Sequence, residues 1–425
     1  MQIKSYNLQN TNQLKMMRLT NPFVLIFCVS FILTGYSQND SKATEYRRSS
    51  LYTLMVADST RNFNQLIEET FINSRIPEKF NNHIVSERSV PKVYNDTLSK
   101  TDLKEAQKTV ISEFLSTHDI AKLMVAKWFN RSEQGGFNMD LISERGFYSA
   151  TDLDVKIAKN SERGTAMLAD AGEELIKNTF VIVNNFKYTD KEEVAKKAKG
   201  LLSIVSDVAV MAGANDVASV SDAASEGIGV LGKGYVIKTD ALLYRLKWND
   251  EVASIFYNDY WTEDSNIDEE KVKAFNESNI FELEYIGTQM AWADLQSTSY
   301  TQKTDEELIT VATIKASDAV TAKLQREYEV FRTKTPLLST EPLSAKIGLK
   351  EGLEKGDKYE VLEQILNKEG KTEYKRIGVI KVDKDQIWDN RFNADEENTD
   401  KTLEYTVFKG SKNKFYPGML IRQIN

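Results

Sequence analysis

Two strand-like segments bracketing a helical stretch of foreign composition constrain this chain more than anything else in it. Asn178–Tyr188 carries the run Phe180-Val-Ile-Val183 between polar residues, the composition of a buried strand. Tyr235–Trp248 alternates Leu243, Arg245 and Lys247 with Tyr244, Leu246 and Trp248, which predicts one wet and one buried face. Residues 191–234 between them read as helix. Leu201, Leu202, Val205 and Val208 fall on one stripe, and after a Gly-Asn-Asp turn a second stripe carries Val217 and Val220. An αα-hairpin inserted between two strands is the expectation. From Lys199 to Lys233 no basic residue intervenes, so its apolar stripes suit a protein partner better than anionic lipid.

The flanking sequence alternates strand and helix. Leu51–Ala57 predicts a strand and Asn62–Phe71 a helix. Asp102–Phe129 predicts two helices broken at Ser116–Asp119, with Thr101 or Asp102 as N-cap. Met139–Ser143 is expected as a short strand. After the insertion, Val252–Tyr257 and Phe281–Ile286 are expected to extend an antiparallel meander, with Asn249-Asp250 as a hairpin turn. Asp305–Phe331 predicts a long helix, with Thr304 and Glu307 forming a capping box. Pro336 and Pro342 then stiffen a connector, 335–342. The last stretch, 343–425, holds five or six short strands separated by Gly and Asn turns. The fold class is therefore α+β: a mixed or antiparallel sheet layer with helices and an inserted αα-hairpin (51–334), followed by a small all-β barrel or sandwich.

The N-terminus sets the compartment. Lys4, Lys15 and Arg18 precede an apolar run, Phe23–Leu33, and Gly35-Tyr-Ser37 offers small residues for cleavage, so 1–37 reads as a signal peptide and 38–50 as a polar tether. The start codon is open between Met1, Met16 and Met17. The apolar run is shorter than the roughly 20 residues of a membrane-spanning helix. Removing 1–37 takes away three positive and no negative charges, moving the formal net charge from −8 to −11 and arguing against nucleic acid. Cys28, the single cysteine, leaves with the signal, so disulfides and thiol chemistry are excluded from the mature chain.

Few residues suit catalysis. His83 and His118 lie on separate segments without metal-ligand spacing, and structural roles are expected for both. Asp152 and Asp154 are the best oxygen ligands for a hard cation. Gly227-x-Gly229-x-x-Gly232 has the letters of a dinucleotide fingerprint but ends a helix where the motif must open one. Trp248, Tyr257, Tyr260 and Trp261 gather around one predicted hairpin, with Trp261 a candidate for exposed stacking on a glycan or peptide.

The segments Arg48–Met55, Ile76–Asn82, Lys334–Leu338, Ala345–Glu363 and Trp388–Arg391 together resemble an uncharacterised exported protein family of Bacteroides-type bacteria. The last 90 residues are loosely similar to the terminal β-modules of envelope assembly factors of the flagellar and curli type. The resemblance implies an envelope location and no catalytic or cofactor residues. A non-enzymatic exported protein, periplasmic or associated with the outer membrane, acting by binding or assembly is thus expected. The partner would be an envelope protein, or a glycan; the alternative is a secreted carboxylate-dependent hydrolase acting on carbohydrate.

Overall fold

Residues 46–148, 172–190, 234–294, 303–366, 372–394, 403–411 and 414–424 are described by the computed structural model, all within one compact unit, Thr44–Asn425. The fold is α+β. Strand β1 (Ser50–Ala57) pairs in parallel with β2 (Asn81–Asn82), β3 (Ser89–Pro91) and β4 (Thr179–Asp190). Strand β4 runs antiparallel to β5 (Tyr235–Leu246), and β5 to β6 (Leu283–Asp294), giving the order β2-β1-β4-β5-β6. Asp190 and Tyr235 are register partners. Residues 191–233, where the inserted αα-hairpin is expected, lie outside the described residues.

Side chains alternate across this sheet, and both faces are covered. Tyr52, Leu54 and Val56 of β1 with Val181, Val183, Leu242, Tyr244 and Leu246 pack against helices on one face in a single core. Those on this face are α2 (Lys100–Thr117), α3 (Ile120–Trp128) and α4 (Asp140–Tyr148); α1 (Asn64–Asn73) packs on the opposite face through Ile67 and Phe71. On that opposite face Leu51, Phe180, Ile182 and Leu243 pack against Val320 and Leu324 of the long helix Asp305–Glu327. The expected wet face of β5 is corrected at Leu243, which is fully buried under the long helix, whereas Arg245 is half-buried and Lys247 exposed. Burial on both faces also explains why Phe180–Val183 reads as an unbroken apolar run.

Short helix α5 (Gly172–Lys177) leads into β4. Two segments expected as strands are helical. Val252–Tyr257 lies in α6 (Asp250–Ile255) and the π-turn Phe256–Tyr260. Asn249 is its N-cap rather than a hairpin turn, its Oδ1 accepting the Val252 N–H at 2.9 Å, and Asp250 and Glu251 favour the positive end of the helix. Of Met139–Ser143, all but Met139 lies in α4, where Asn138 Oδ1 accepts the Asp140 N–H at 3.0 Å. Helix α2 is capped by Ser99, two residues before Thr101: Ser99 Oγ accepts the Asp102 N–H. The break before α3 holds, with Asp119 in the left-handed region (φ 51°). Helix α7 (Glu269–Glu277) completes an aromatic nest of Phe129, Phe137, Trp248, Phe256, Phe275 and Phe281. The long helix is α8 (Asp305–Glu327); its capping box is formed as expected, Thr304 Oγ1 accepting the Glu307 N–H and Glu307 Oε2 accepting the Thr304 N–H.

The expected connector 335–342 contains strand β7 (Thr335–Thr340). Pro336 is tolerated because Leu337 makes the ladder bonds, its N–H to Met419 O at 2.8 Å and its carbonyl from the Gly418 N–H at 2.9 Å. Strands β8 (Leu343–Ala345), β9 (Lys358–Leu366), β10 (Thr372–Val382), β11 (Thr406–Lys409) and β12 (Leu420–Ile424) follow. All pair antiparallel, in the order β10-β11-β8-β7-β12-β9 with β9 returning to β10. The seams β10–β11, β11–β8 and β12–β7 are each two residue pairs long, whereas β9–β10 is extensive. This ring of pairings with thin seams stands between the barrel and the sandwich of the sequence reading. Its core holds Leu337, Val361, Ile380, Phe408 and Ile421. No helix among the described residues is long and apolar enough to cross a membrane.

Candidate functional site

The α+β layer and the β-module meet around a cleft of about 500 Å³. Its wall is assembled from every part of the chain: Tyr46 and Arg48 before β1, Lys177 and Asn178 between α5 and β4, and Arg245 in β5. Arg332 and Lys334 follow α8, while Glu360, Tyr374, Arg376 and Arg422 come from β9, β10 and β12. Eight of the eighteen lining residues are Lys or Arg and three are Glu, a local excess of five positive charges in a chain of formal charge −8.

Backbone and neighbouring side chains fix the cations. Arg245 Nε donates to the Lys177 carbonyl at 2.7 Å and its NH2 to Asn178 Oδ1 at 3.2 Å, bending the guanidinium over the start of β4. Arg332 donates to the carbonyls of Gln325 and Arg326 at the end of α8, where cations suit the helix dipole. Arg422 donates to Glu360 at 2.7 Å and lies 3.3 Å from Glu329. Arg376 is exposed at the rim.

Lys334 is central. Its side chain is 16% exposed, its Nζ lies 3.8 Å from Glu174 and 4.1 Å above the Tyr374 ring. Burial pushes its ammonium pKa below the ordinary value; Glu174 opposes this, while Arg422 and Arg48 push it further down. Tyr374 and Tyr46 share a hydroxyl hydrogen bond of 3.0 Å. Burial, then Tyr46 and Glu174, raise the Tyr374 phenol well above its usual range, so it stays a neutral donor. The three glutamates are committed to cations: Glu360 and Glu329 to Arg422, Glu174 to Lys334. The arrangement offers fixed donors and positive charge to an incoming anion.

Comparison with known proteins finds no match: no family model fits the chain, and no curated protein is similar to it. The site stands on its geometry.

The residues singled out in the sequence lie elsewhere. Asp152 and Asp154, the stripe Leu201, Leu202, Val205, Val208, Val217 and Val220, and the glycines 227–232 lie outside the described residues. Trp261 is half-buried, packed at ring distances of 5.7 to 5.9 Å from Phe129, Phe137 and Phe256. Among the described residues no group of three His, Cys, Asp or Glu gathers to hold a metal. His83 is fully buried, stacked 5.0 Å from Trp128. Its Nδ1 accepts from Arg145 at 2.9 Å, which leaves Nε2–H to donate to the Met124 carbonyl at 3.0 Å. His118 stacks on Phe114 at 4.0 Å at the end of α2. The cleft residues escaped sequence reading because no two of its cationic elements are close in sequence except Arg332 and Lys334, which sit between the end of the expected helix and the expected connector 335–342.

Proposed function

We propose that this chain is a non-enzymatic binding protein of the cell envelope whose cleft captures an anionic ligand. The observation that carries the reading is the excess of five positive charges in a confined space of an otherwise acidic protein. Low-dielectric walls focus such a field and raise the local concentration of anions. Lys334, Arg48 and Arg422 repel one another there, and a bound carboxylate, phosphate or sulfate relieves that repulsion. A volume near 500 Å³ suits a small organic ligand rather than a bare ion.

Export to the periplasm or outer membrane rests on the signal-like residues 1–37 and on the resemblance to exported Bacteroides-type proteins. The apolar stripes of 191–234 support an envelope protein as a second partner. The carboxylate-hydrolase alternative has weaker support: a pair of acids working on a glycosidic bond needs free oxygens, and Glu329 and Glu360 share one arginine.

Calorimetry with glucuronic acid and with inorganic phosphate tests the reading. Binding weakens with added salt, and Lys334→Gln or Arg376→Ala lowers the affinity about tenfold, a loss of ~1.4 kcal/mol. Absence of binding by either anion at millimolar concentration, or variants that bind like the parent, would count against it. A mature N-terminus at Gln38, read by mass spectrometry of the native protein, tests the export step.

A further inference from the structure

A second cleft, of about 460 Å³, opens beside the first. Lys177 and Arg245 line both, so the two adjoin at the start of β4 and the end of β5. Their chemistry differs. The first is strongly cationic. The second balances Lys177, Arg245 and Lys247 against Glu282 and Glu284, and adds Asn249. Lys247 and Glu282 pair with each other at 2.8 Å, both half exposed at its rim. Trp248 also lines the second cleft; it is 4% exposed, and its indole N–H has no acceptor among the described residues.

A mixed surface of this kind suits groups that both donate and accept hydrogen bonds. Hydroxyls donate to Glu282 and Glu284 and accept from Lys247 and Asn249. A run of carboxylates would be repelled by the two glutamates, which disfavours an acidic peptide or a uniformly charged polymer. We infer that the two clefts form one groove for an acidic saccharide of two or more units, its charged unit among the cations of the first cleft and a neutral, hydroxyl-bearing unit in the second. This rests on the anion-binding reading above, and adds the length and composition of the ligand.

The test compares three probes by calorimetry on the mature full-length protein: glucuronic acid, a disaccharide of glucuronic acid joined to a neutral xylose, and tetraglutamate. The disaccharide is expected to bind about tenfold tighter than glucuronic acid, and tetraglutamate no tighter than glucuronic acid. The double variant Lys247→Ala/Glu282→Ala removes a mutually paired rim without changing net charge. It should abolish the disaccharide's advantage while glucuronic acid binds as before; unchanged glucuronic acid binding also shows that the variant is folded. Equal affinities for glucuronic acid and disaccharide, a variant that keeps the advantage, or tetraglutamate binding as tightly as the disaccharide would overturn the groove while leaving anion capture intact. Failure of all three probes would instead remove the anion-binding reading on which it stands.

Discussion

Two titratable side chains, one fully buried and one half-buried, give the protein opposite pH dependences. His83 sits under Trp128 with Arg145, itself donating to Ser50 Oγ and the Asn82 carbonyl, and its ring stays neutral because burial first, and Arg145 second, hold its pKa well below 6.5. The unfolded chain takes up a proton near 6.5 that the folded chain refuses, so this residue's contribution is present above that pH and is lost as pH falls below it. His83→Gln should flatten the decline in urea-unfolding free energy between pH 7.5 and 5.5. At neutral pH it should cost about 2 to 3 kcal/mol through lost packing. Asp318 on α8 works the other way. Burial raises its pKa to about 6, Lys350 at 3.9 Å opposing the shift and Glu351 and Glu78 adding to it. Folded Asp318 binds its proton before the unfolded chain does, so the cost of its charge is full above pH 6 and disappears towards pH 4. Asp318→Asn should therefore stabilise the protein by on the order of 2 kcal/mol at pH 7.5 and by nothing measurable at pH 4. Equal gains at both pH values would show that the carboxylate is not destabilising.

Local signals decided elements where a side chain closes the backbone, and misled where burial overrode propensity. The Thr304 and Glu307 box was legible because both bonds lie within one turn. Thr304→Ala should cost about 1 kcal/mol, read as a lower midpoint in thermal melting without a change in slope. Val252–Tyr257 reads as a strand by its β-branched and aromatic content, yet Val252, Ala253, Phe256 and Tyr260 recur on one helical face against the aromatic nest. The capping Asn249 was the signal available to reveal this. Gly287 in β6 shows a demand that sequence cannot display: a Cβ there would lie 2.2 Å from the Tyr328 hydroxyl, which donates to the Thr288 carbonyl at 2.9 Å.

Across the whole molecule, the cleft links the two halves of the chain electrostatically. Its cations come from seven places between Arg48 and Arg422, and a ligand that neutralises them binds the folded state alone. Saturating glucuronic acid at 100 times its dissociation constant should therefore stabilise the fold by ~2.7 kcal/mol, seen as a rise in unfolding midpoint that Lys334→Gln diminishes. An unchanged midpoint in the parent protein would contradict capture in this cleft. The sequence by itself determined the α+β class, the strands β1, β4, β5 and β9, the long helix α8 and the acidic, single-cysteine composition of the chain, because periodicity, caps and charge counts are properties of neighbours along the chain. Tertiary structure alone decided that β5 is covered on both faces, that 335–342 joins the β-module, and that scattered arginines and lysines share one space. Those outcomes depend on which segments meet across hundreds of residues, where no spacing rule reaches and only packing and its electrostatic consequences select the arrangement.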